Sequence, residues 1–296
     1  FRRLETWLGP AAPQRGTDGP VSTSPAQHVH PLAHELLAGA RALGYAVHDD
    51  LNAAAAEGFG LTQVTIARGL RSSAARAFLR HLEHRALLQV RTHALASRLL
   101  FAGQRCTGVE FLHGGRLQSA RCCAEVIVCA GAIASPALLL RSGIGDASEL
   151  ASYDIPPVHH SPAVGANLQE HAAIAVAFAA RVPTLNQDGR GWRALRTGIQ
   201  WLLTRRGPAA AAVVHVTGFV RTRAGLPCAD VQLQFVPLGY DDSGARPRMA
   251  RDDRVGFTIN PCRPQSRGRV RLAARDPQAA PRIEHQLLGA DSDVTT

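Results

Sequence analysis

Residues 126–145 read VIVCAGAIASPALLLRSGIG, and no other stretch narrows the possible folds as far. The run opens with Val126, Ile127, Val128 and Cys129, a composition suited to a strand buried on both faces, as in a parallel sheet. Ala130, Gly131 and Ala132 follow, small enough to let a ligand or another backbone come close. Ser135 then reads as an N-cap and Pro136 as a first helical residue, where its missing N–H costs nothing. Leu138, Leu139 and Leu140 fill a short helix, and Gly143 suits the position just past its end. Strand, small-residue turn and capped helix together make the local geometry of nucleotide-binding α/β sheets. Ligands of such sheets lie at the carboxyl ends of the strands.

The chain has 296 residues, enough for one large or two ordinary domains with a real core, and its 46% apolar content fits a globular protein. No apolar run reaches the length of a membrane span, and no secretory leader opens the sequence, so a cytoplasmic location is expected. The formal charge of +10 invites a nucleic-acid reading. All 33 basic residues are Arg, however, scattered and with few aromatics between them, so solvated surface explains them better and no nucleic-acid partner is expected. The six cysteines, at 106, 122, 123, 129, 228 and 262, form no C-x-x-C pair and read as buried reduced thiols. His28, His30 and His34 lie close together, but no Cys or carboxylate set completes them at ligand spacing, so no metal is expected.

Along the chain, residues 1–30 read as irregular, and 31–43 as a helix with Leu32, Leu36, Ala40 and Leu43 on its apolar face. Asp49 and Asp50 read as a solvated turn. A second helix is expected from Ser73 to about residue 84, lined by Phe78, Leu79 and Leu82. Short strands follow at 87–90, 96–101, 107–112, 117–121 and 125–129, with Gly114 and Gly115 as a hairpin signal. A short helix is expected at 146–150 and a longer one at 192–203. Further strands are expected at 213–221, 231–237, 255–260 and 270–273, with a polar loop at 241–253.

Residues 131–145, GAIASPALLLRSGIG, resemble the second signature of the glucose-methanol-choline family of flavoprotein oxidoreductases. Other segments resemble the family in the same order: Gly16 to Ser22, Asp50-x-Asn52 with Gln63-x-Thr65, and Gly69-x-Arg71-x-Ser73 leading to Leu79. Further on come Val164-Gly165-x-Asn167-Leu168-Gln169-Glu170-His171 and Ser266-Arg267-Gly268-x-Val270. Ala53 replaces a usual Gly, and Glu170 a usual Asp.

The resemblance implies an α/β (α+β) fold, in which part of an FAD-binding, Rossmann-type domain joins an antiparallel-sheet substrate domain carrying helices. It divides the chain into residues 1–70 (substrate domain and connecting segment), 71–155 (FAD-binding portion) and 156–296 (substrate domain). It implies FAD as cofactor, contacted by the backbone of Ala96 and by Ala130 and Gly131, and oxidation of a small alcohol by hydride transfer to the flavin. His171 becomes a structural or cofactor-neighbourhood residue. No G-x-G-x-x-G opens a βαβ unit here, and the family's catalytic histidine segment would lie beyond Thr296, so no catalytic residue is expected in what reads as an internal fragment. Such a fragment is not expected to hold FAD tightly alone. A non-catalytic remnant of the same fold is the alternative; a serine hydrolase is disfavoured, since no G-x-S-x-G occurs. Choline-type members carry Glu where this chain has His215, so the resemblance implies an uncharged alcohol rather than a quaternary amine. The electron acceptor is left open.

Overall fold

A computed structural model describes residues 1–52, 57–80, 82, 87–241 and 248–296. In chain order, β1 (Glu5–Trp7) and β2 (Val21–Thr23) precede helix α1 (Pro31–Ala42), followed by β3 (Gly58–Leu61), β4 (Ile66–Ala67) and β5 (Leu70–Arg71). Next come β6 (Ala94–Ala102), β7 (Arg105–His113), β8 (Arg116–Arg121), helix α2 (Gly131–Arg141), β9 (Ile144–Gly145), α3 (Ala147–Ala151) and β10 (His159–His160). The remainder holds β11 (Ile174–Ala179), α4 (Leu185–Asp188), α5 (Gly191–Thr204), β12 (Val216–Val220), β13 (Val231–Val236) and β14 (Tyr240–Asp241). The chain closes with β15 (Arg248–Met249), β16 (Arg254–Pro261), β17 (Arg269–Arg271), β18 (Arg282–Glu284) and α6 (Asp291–Val294). No described helix is long and apolar enough to cross a membrane.

The chain divides into two compact units, each built from separated stretches. Unit 1 comprises residues 1–84 and 172–263, and unit 2 residues 85–171 and 264–295. The 71–155 stretch expected on the FAD side therefore overlaps unit 2 from residue 85 onward.

Unit 1 is organised by a five-stranded antiparallel sheet, ordered β11-β16-β13-β12-β3. The early strand β3 pairs with the late strand β12, so residues from both ends of the sequence complete one sheet. Helix α1 lies on it and buries Ala33 and Leu37 against Val216 and Phe235. Of the expected stripe, Ala40 is buried and Leu32 and Leu36 pack partly buried against this cluster, while Leu43, just past the helix end, is 79% exposed.

The N-terminal residues are less irregular than their composition suggests. Arg15, 8% exposed, donates to Glu5 at 2.9 Å and to both carboxylate oxygens of Asp50 at 2.9 and 2.7 Å, and its guanidinium lies 4.0 Å over the Trp7 ring. Gln63 also bonds Arg15 and Asp50, and Asn52 bonds Gln63. Asp50 is thus part of a closed polar network rather than a solvated turn. Burial by itself would raise the Glu5 and Asp50 pKa values. Hydrogen bonds from Thr23 and the Gly16 N–H to Glu5, from Gln63 and the Asn52 N–H to Asp50, and from Arg15 to both outweigh it and hold them below the usual range.

Unit 2 holds the antiparallel meander β6-β7-β8, with Gly114 and Gly115 at positive φ in the β7–β8 turn. Its core gathers Ala137, Leu140, Leu150, Ile155 and Leu272, where the fully buried leucines contribute about 2 kcal/mol each.

Three expected elements differ. Residues 126–129 belong to no ladder, and Ile127 is 74% exposed. β-branched residues favour an extended backbone, but a strand also needs a neighbour, and no described strand of unit 2 lies alongside. Residues 87–90 likewise form no strand, with Leu87 89% exposed. The helix expected from Ser73 is a short π-helical turn at Ala75–Leu79, with Phe78, Leu79 and Leu82 all exposed; its expected end near residue 84 lies outside the described residues, as does Ala53. Residues 242–247 of the 241–253 loop also lie outside them, and Tyr240–Asp241 and Arg248–Met249 on either side pair as β14 and β15. All six cysteines are free, yet none is buried: Cys106, Cys122 and Cys262 are half-buried, and Cys123, Cys129 and Cys228 are exposed, the first two of these in the unpaired segment after β8.

Replacing Arg15 by Met leaves two carboxylates and a glutamine without their cation. The expected loss is about 3–5 kcal/mol in urea unfolding. A loss below about 1 kcal/mol would show that the network is too well solvated to hold the N-terminal strands.

Candidate functional site

Helix α2 carries the residues around which the sequence is arranged. Its C-terminal end is tied to the meander. Ser142 Oγ accepts the Leu99 N–H at 2.8 Å and donates to the Leu138 carbonyl at 2.6 Å, while Arg141 Nε donates to the Ser97 carbonyl at 3.0 Å. β6 is an edge strand, so these are backbone groups without a neighbouring strand to pair with. The other end of α2 is open. Gly131 begins the helix at φ +86, and nothing lies within 4 Å of the position a Cβ would occupy. Ala130, Gly131, Ala132, Ile133 and Ala134 are all exposed.

The helix begins five residues earlier than expected. Ser135 is not its N-cap; Ser135 Oγ accepts the N–H of Ala130 at 3.0 Å, and Pro136 lies inside the helix. Proline removes only the bond to the Ala132 carbonyl, close to the end where the ladder is least complete. No side chain caps the first turn, so its backbone N–H groups are presented outward with the positive end of the helix dipole. That is a fit for the phosphate side of a nucleotide cofactor, with glycine where close approach needs it. Ala96 lies in the same unit, half-buried on β6 opposite Phe111, at a register shift that loosens the ladder and frees local backbone. The structure thus places Ala96 on the strand that carries α2, and Ala130 and Gly131 at that helix's open end.

Unit 1 holds an apolar cavity of about 310 Å³, lined by Leu185, Ala194, Ala212, Val213, Leu238 and Met249 among others. Its wall is set by a buried polar clamp that the sequence does not advertise. Asn186, fully buried, donates to the carbonyls of Gly239 and Ala250 at 2.9 and 3.0 Å and accepts the Gly239 N–H at 2.9 Å. Thr184 donates from its N–H and hydroxyl to Asp253 at 2.7 and 2.8 Å. Burial would raise the Asp253 pKa, but these hydrogen bonds and one from Gln187 hold it down. Neither Thr184 nor Asn186 is singled out by the sequence; only the distant partners reveal their role.

His215 is 1% exposed. Its Nδ1 accepts the backbone N–H of His30 at 3.0 Å, fixing the start of α1. His30 in turn caps that helix through Nδ1, which accepts from the Leu32 N–H, and its Nε2 meets the Pro183 carbonyl. Burial pushes the His215 pKa down to about 4, so the ring is neutral at pH 7, and with Nδ1 accepting, the proton sits on Nε2. Its ring is buried within unit 1, where Nδ1 is taken by His30 and Nε2 has no hydrogen-bond partner among the described residues, so the ring by itself gives no argument about the charge of an alcohol. His171 is exposed, its N–H bonded to the Glu170 carboxylate. No group of three or more His, Cys, Asp or Glu among the described residues is arranged to hold a metal ion.

The His215 pKa sets a pH dependence. The folded value lies below the unfolded one, so stability is full above about 6.5 and falls as pH drops toward 4. The expected loss across that window is on the order of 3 kcal/mol. In His215→Asn, whose amide oxygen can still accept from His30, the urea midpoint is expected to be flat between pH 6.5 and 4.5. An unchanged slope would assign the acid sensitivity to other groups.

Comparison with known proteins fits this geometry. Residues 12–173, just over half of the chain, match the family model described as GMC oxidoreductase. The chain is 41% identical over 289 residues to an oxygen-dependent choline dehydrogenase of Burkholderia pseudomallei (strain K96243), covering 96% of this chain and 50% of that protein. It is 36% identical over 295 residues to the mitochondrial choline dehydrogenase of Mus musculus, covering 99% of this chain and 49% of that one. It spans about half the length of the curated relatives it matches. Among solved structures, a formate oxidase superposes with a TM-score of 0.89 at 21% identity, covering 99% of this chain and 57% of that one. A pyridoxine 4-oxidase from Mesorbium loti gives 0.82 at 24%, covering 99% and 54%. These likenesses show the fold, and the family match settles the ancestry: the chain belongs to the GMC oxidoreductase family.

Proposed function

We propose that this chain forms part of an FAD-dependent oxidoreductase that oxidises a small alcohol. The observation that carries the reading is the open N-terminal turn of α2, in a stretch that matches the family from residue 12 to residue 173. Unit 2 is the cofactor-side piece in this reading. The backbone around Ala96 meets the adenine, and Ala130 and Gly131 let the rest of the nucleotide approach the uncapped helix end. Unit 1 is the substrate-side piece; its apolar cavity suits the non-reacting part of a small molecule.

When bound, FAD supplies the acceptor for hydride from the alcohol carbon. The residues of this chain bind and exclude water: the Asn186 and Thr184 clamp fixes the cavity wall, and the small residues at 130–132 keep the cofactor face unobstructed. No residue of this chain is assigned as the acid or base. The names of the relatives make choline the first alcohol to try, and the buried, neutral His215 no longer sets it aside.

The test uses protein made from the whole reading frame that contains this sequence. It is expected to purify with the two-banded visible spectrum of oxidised flavin, and anaerobic addition of choline or a neutral primary alcohol is expected to bleach it. Gly131→Val, which forces a β-branched residue to positive φ at the cofactor face, is expected to lower flavin occupancy about tenfold. Absence of flavin, or a flavin that no alcohol reduces, would favour the non-catalytic remnant.

A further inference from the structure

Helix α5 turns its bulk outward. Its inward side carries Ala194, Thr197 and Gly198, which line the apolar cavity, and Trp201, whose Nε1 donates to the Gly69 carbonyl at 3.0 Å. Its outward side carries Trp192, Leu195, Ile199, Leu202 and Leu203, which are 70, 65, 47, 61 and 80% exposed. At the angular step of an α-helix these five fall within an arc of about 100°. An amphipathic helix in a self-contained unit would bury that stripe.

Charge distinguishes this face from a protein contact. No Asp or Glu occurs from residue 189 to residue 229, while Arg190, Arg193, Arg196, Arg205 and Arg206 fall in or next to the helix. Arg193 and Arg196 border the apolar stripe on one side, and with Arg206 they form no salt bridge among the described residues. Beside them runs a groove of about 410 Å³ lined by Trp192, Arg193, Arg196, Gln200, Pro208 and the single acid Asp188. The core of a protein interface is depleted in charge, whereas an apolar stripe with tryptophan at its edge and arginines along its flank, Arg196 with its guanidinium 5.9 Å over the Trp192 ring, matches the boundary between lipid tails and phosphates.

We propose that α5 is a peripheral docking helix that lies in the plane of an anionic phospholipid surface. Trp192, Leu195, Ile199, Leu202 and Leu203 enter the headgroup–acyl boundary, and Arg193 and Arg196 seat lipid phosphates along the groove. The helix is about 21 Å long, enough to lie along the surface and not to span it. Attraction of the arginines to anionic headgroups and burial of the leucines act together, so removal of either weakens binding.

The experiment is vesicle flotation of protein made from the whole reading frame. The vesicles are phosphatidylcholine alone or phosphatidylcholine with about 30% phosphatidylglycerol. Flotation is expected with the anionic vesicles, and at least about tenfold weaker with neutral vesicles or at high salt. The double variant Leu195→Ser/Leu202→Ser is expected to lose binding about tenfold or more while keeping its melting temperature and size. Brominated lipid is expected to quench wild-type fluorescence, and to quench Trp192→Phe far less, a readout that needs no destabilising change. Failure to float, or flotation that the double variant retains, overturns the proposal. So does a dimer that the double variant dissociates, which would assign the face to a second copy. A large drop in the double variant's melting temperature also overturns it, because the face would then be covered by the remainder of the polypeptide.

Discussion

The unpaired edge of β6 is the constraint on which unit 2 depends. A meander of three strands leaves one row of backbone groups without partners on each side. Here the carbonyl of Ser97 and the N–H of Leu99, two residues apart and so facing the same edge, are taken by Arg141 and Ser142 at the end of α2. Those two bonds fix where the helix ends. Because a helix of eleven residues is a rigid rod of about 16 Å, they also fix where it begins. The open turn at Ala130 and Gly131 is therefore positioned from its far end. As the proposed cofactor face, it needs no side-chain machinery, only room and backbone N–H groups.

Unit 1 solves a different problem. Its sheet closes only when β3, from early in the chain, joins β12, from late in it. The loop-rich N-terminal residues are held to it by Arg15, which satisfies Glu5, Asp50 and Gln63 at once. His215 completes the arrangement at the junction of α1 and the sheet, where its backbone extends the ladder through bonds with Phe235 and Thr62 while its ring holds His30. Each network joins residues more than ten positions apart, so sequence spacing could not reveal it.

How much was legible follows the range of the interaction. The meander, its glycine hairpin, α1, α5 and the three strands β12, β13 and β16 of the large sheet are local or periodic signals, and they stand close to where the sequence places them, whereas β3 and β11 of that sheet were not expected as strands. The 126–129 run misled because β-branched residues dictate an extended backbone but not the presence of a neighbour. Ser135 and Pro136 misled because the pattern of a cap was present while Gly131, at positive φ, had already begun the helix. The expected flavin-side residues were named from motif resemblance, not from spacing. By contrast, Ser142, Asn186 and Thr184 carry no signal of their own, since serine, asparagine and threonine in turns are common. Helix α5 was legible as a helix, but which side of it faces outward was not, since hydrophobic periodicity gives the stripe and not its direction.

The central claim is that the open turn at the start of α2 is where the flavin nucleotide approaches. Amide hydrogen exchange on the whole protein, with and without its flavin, tests it most directly. The account predicts that amides at 131–134 exchange fast in the flavin-free protein and become strongly protected when FAD is bound, while those of Leu99 and Ser142 change little. Equal exchange at 131–134 in the two states would contradict it, and would move the cofactor away from this helix.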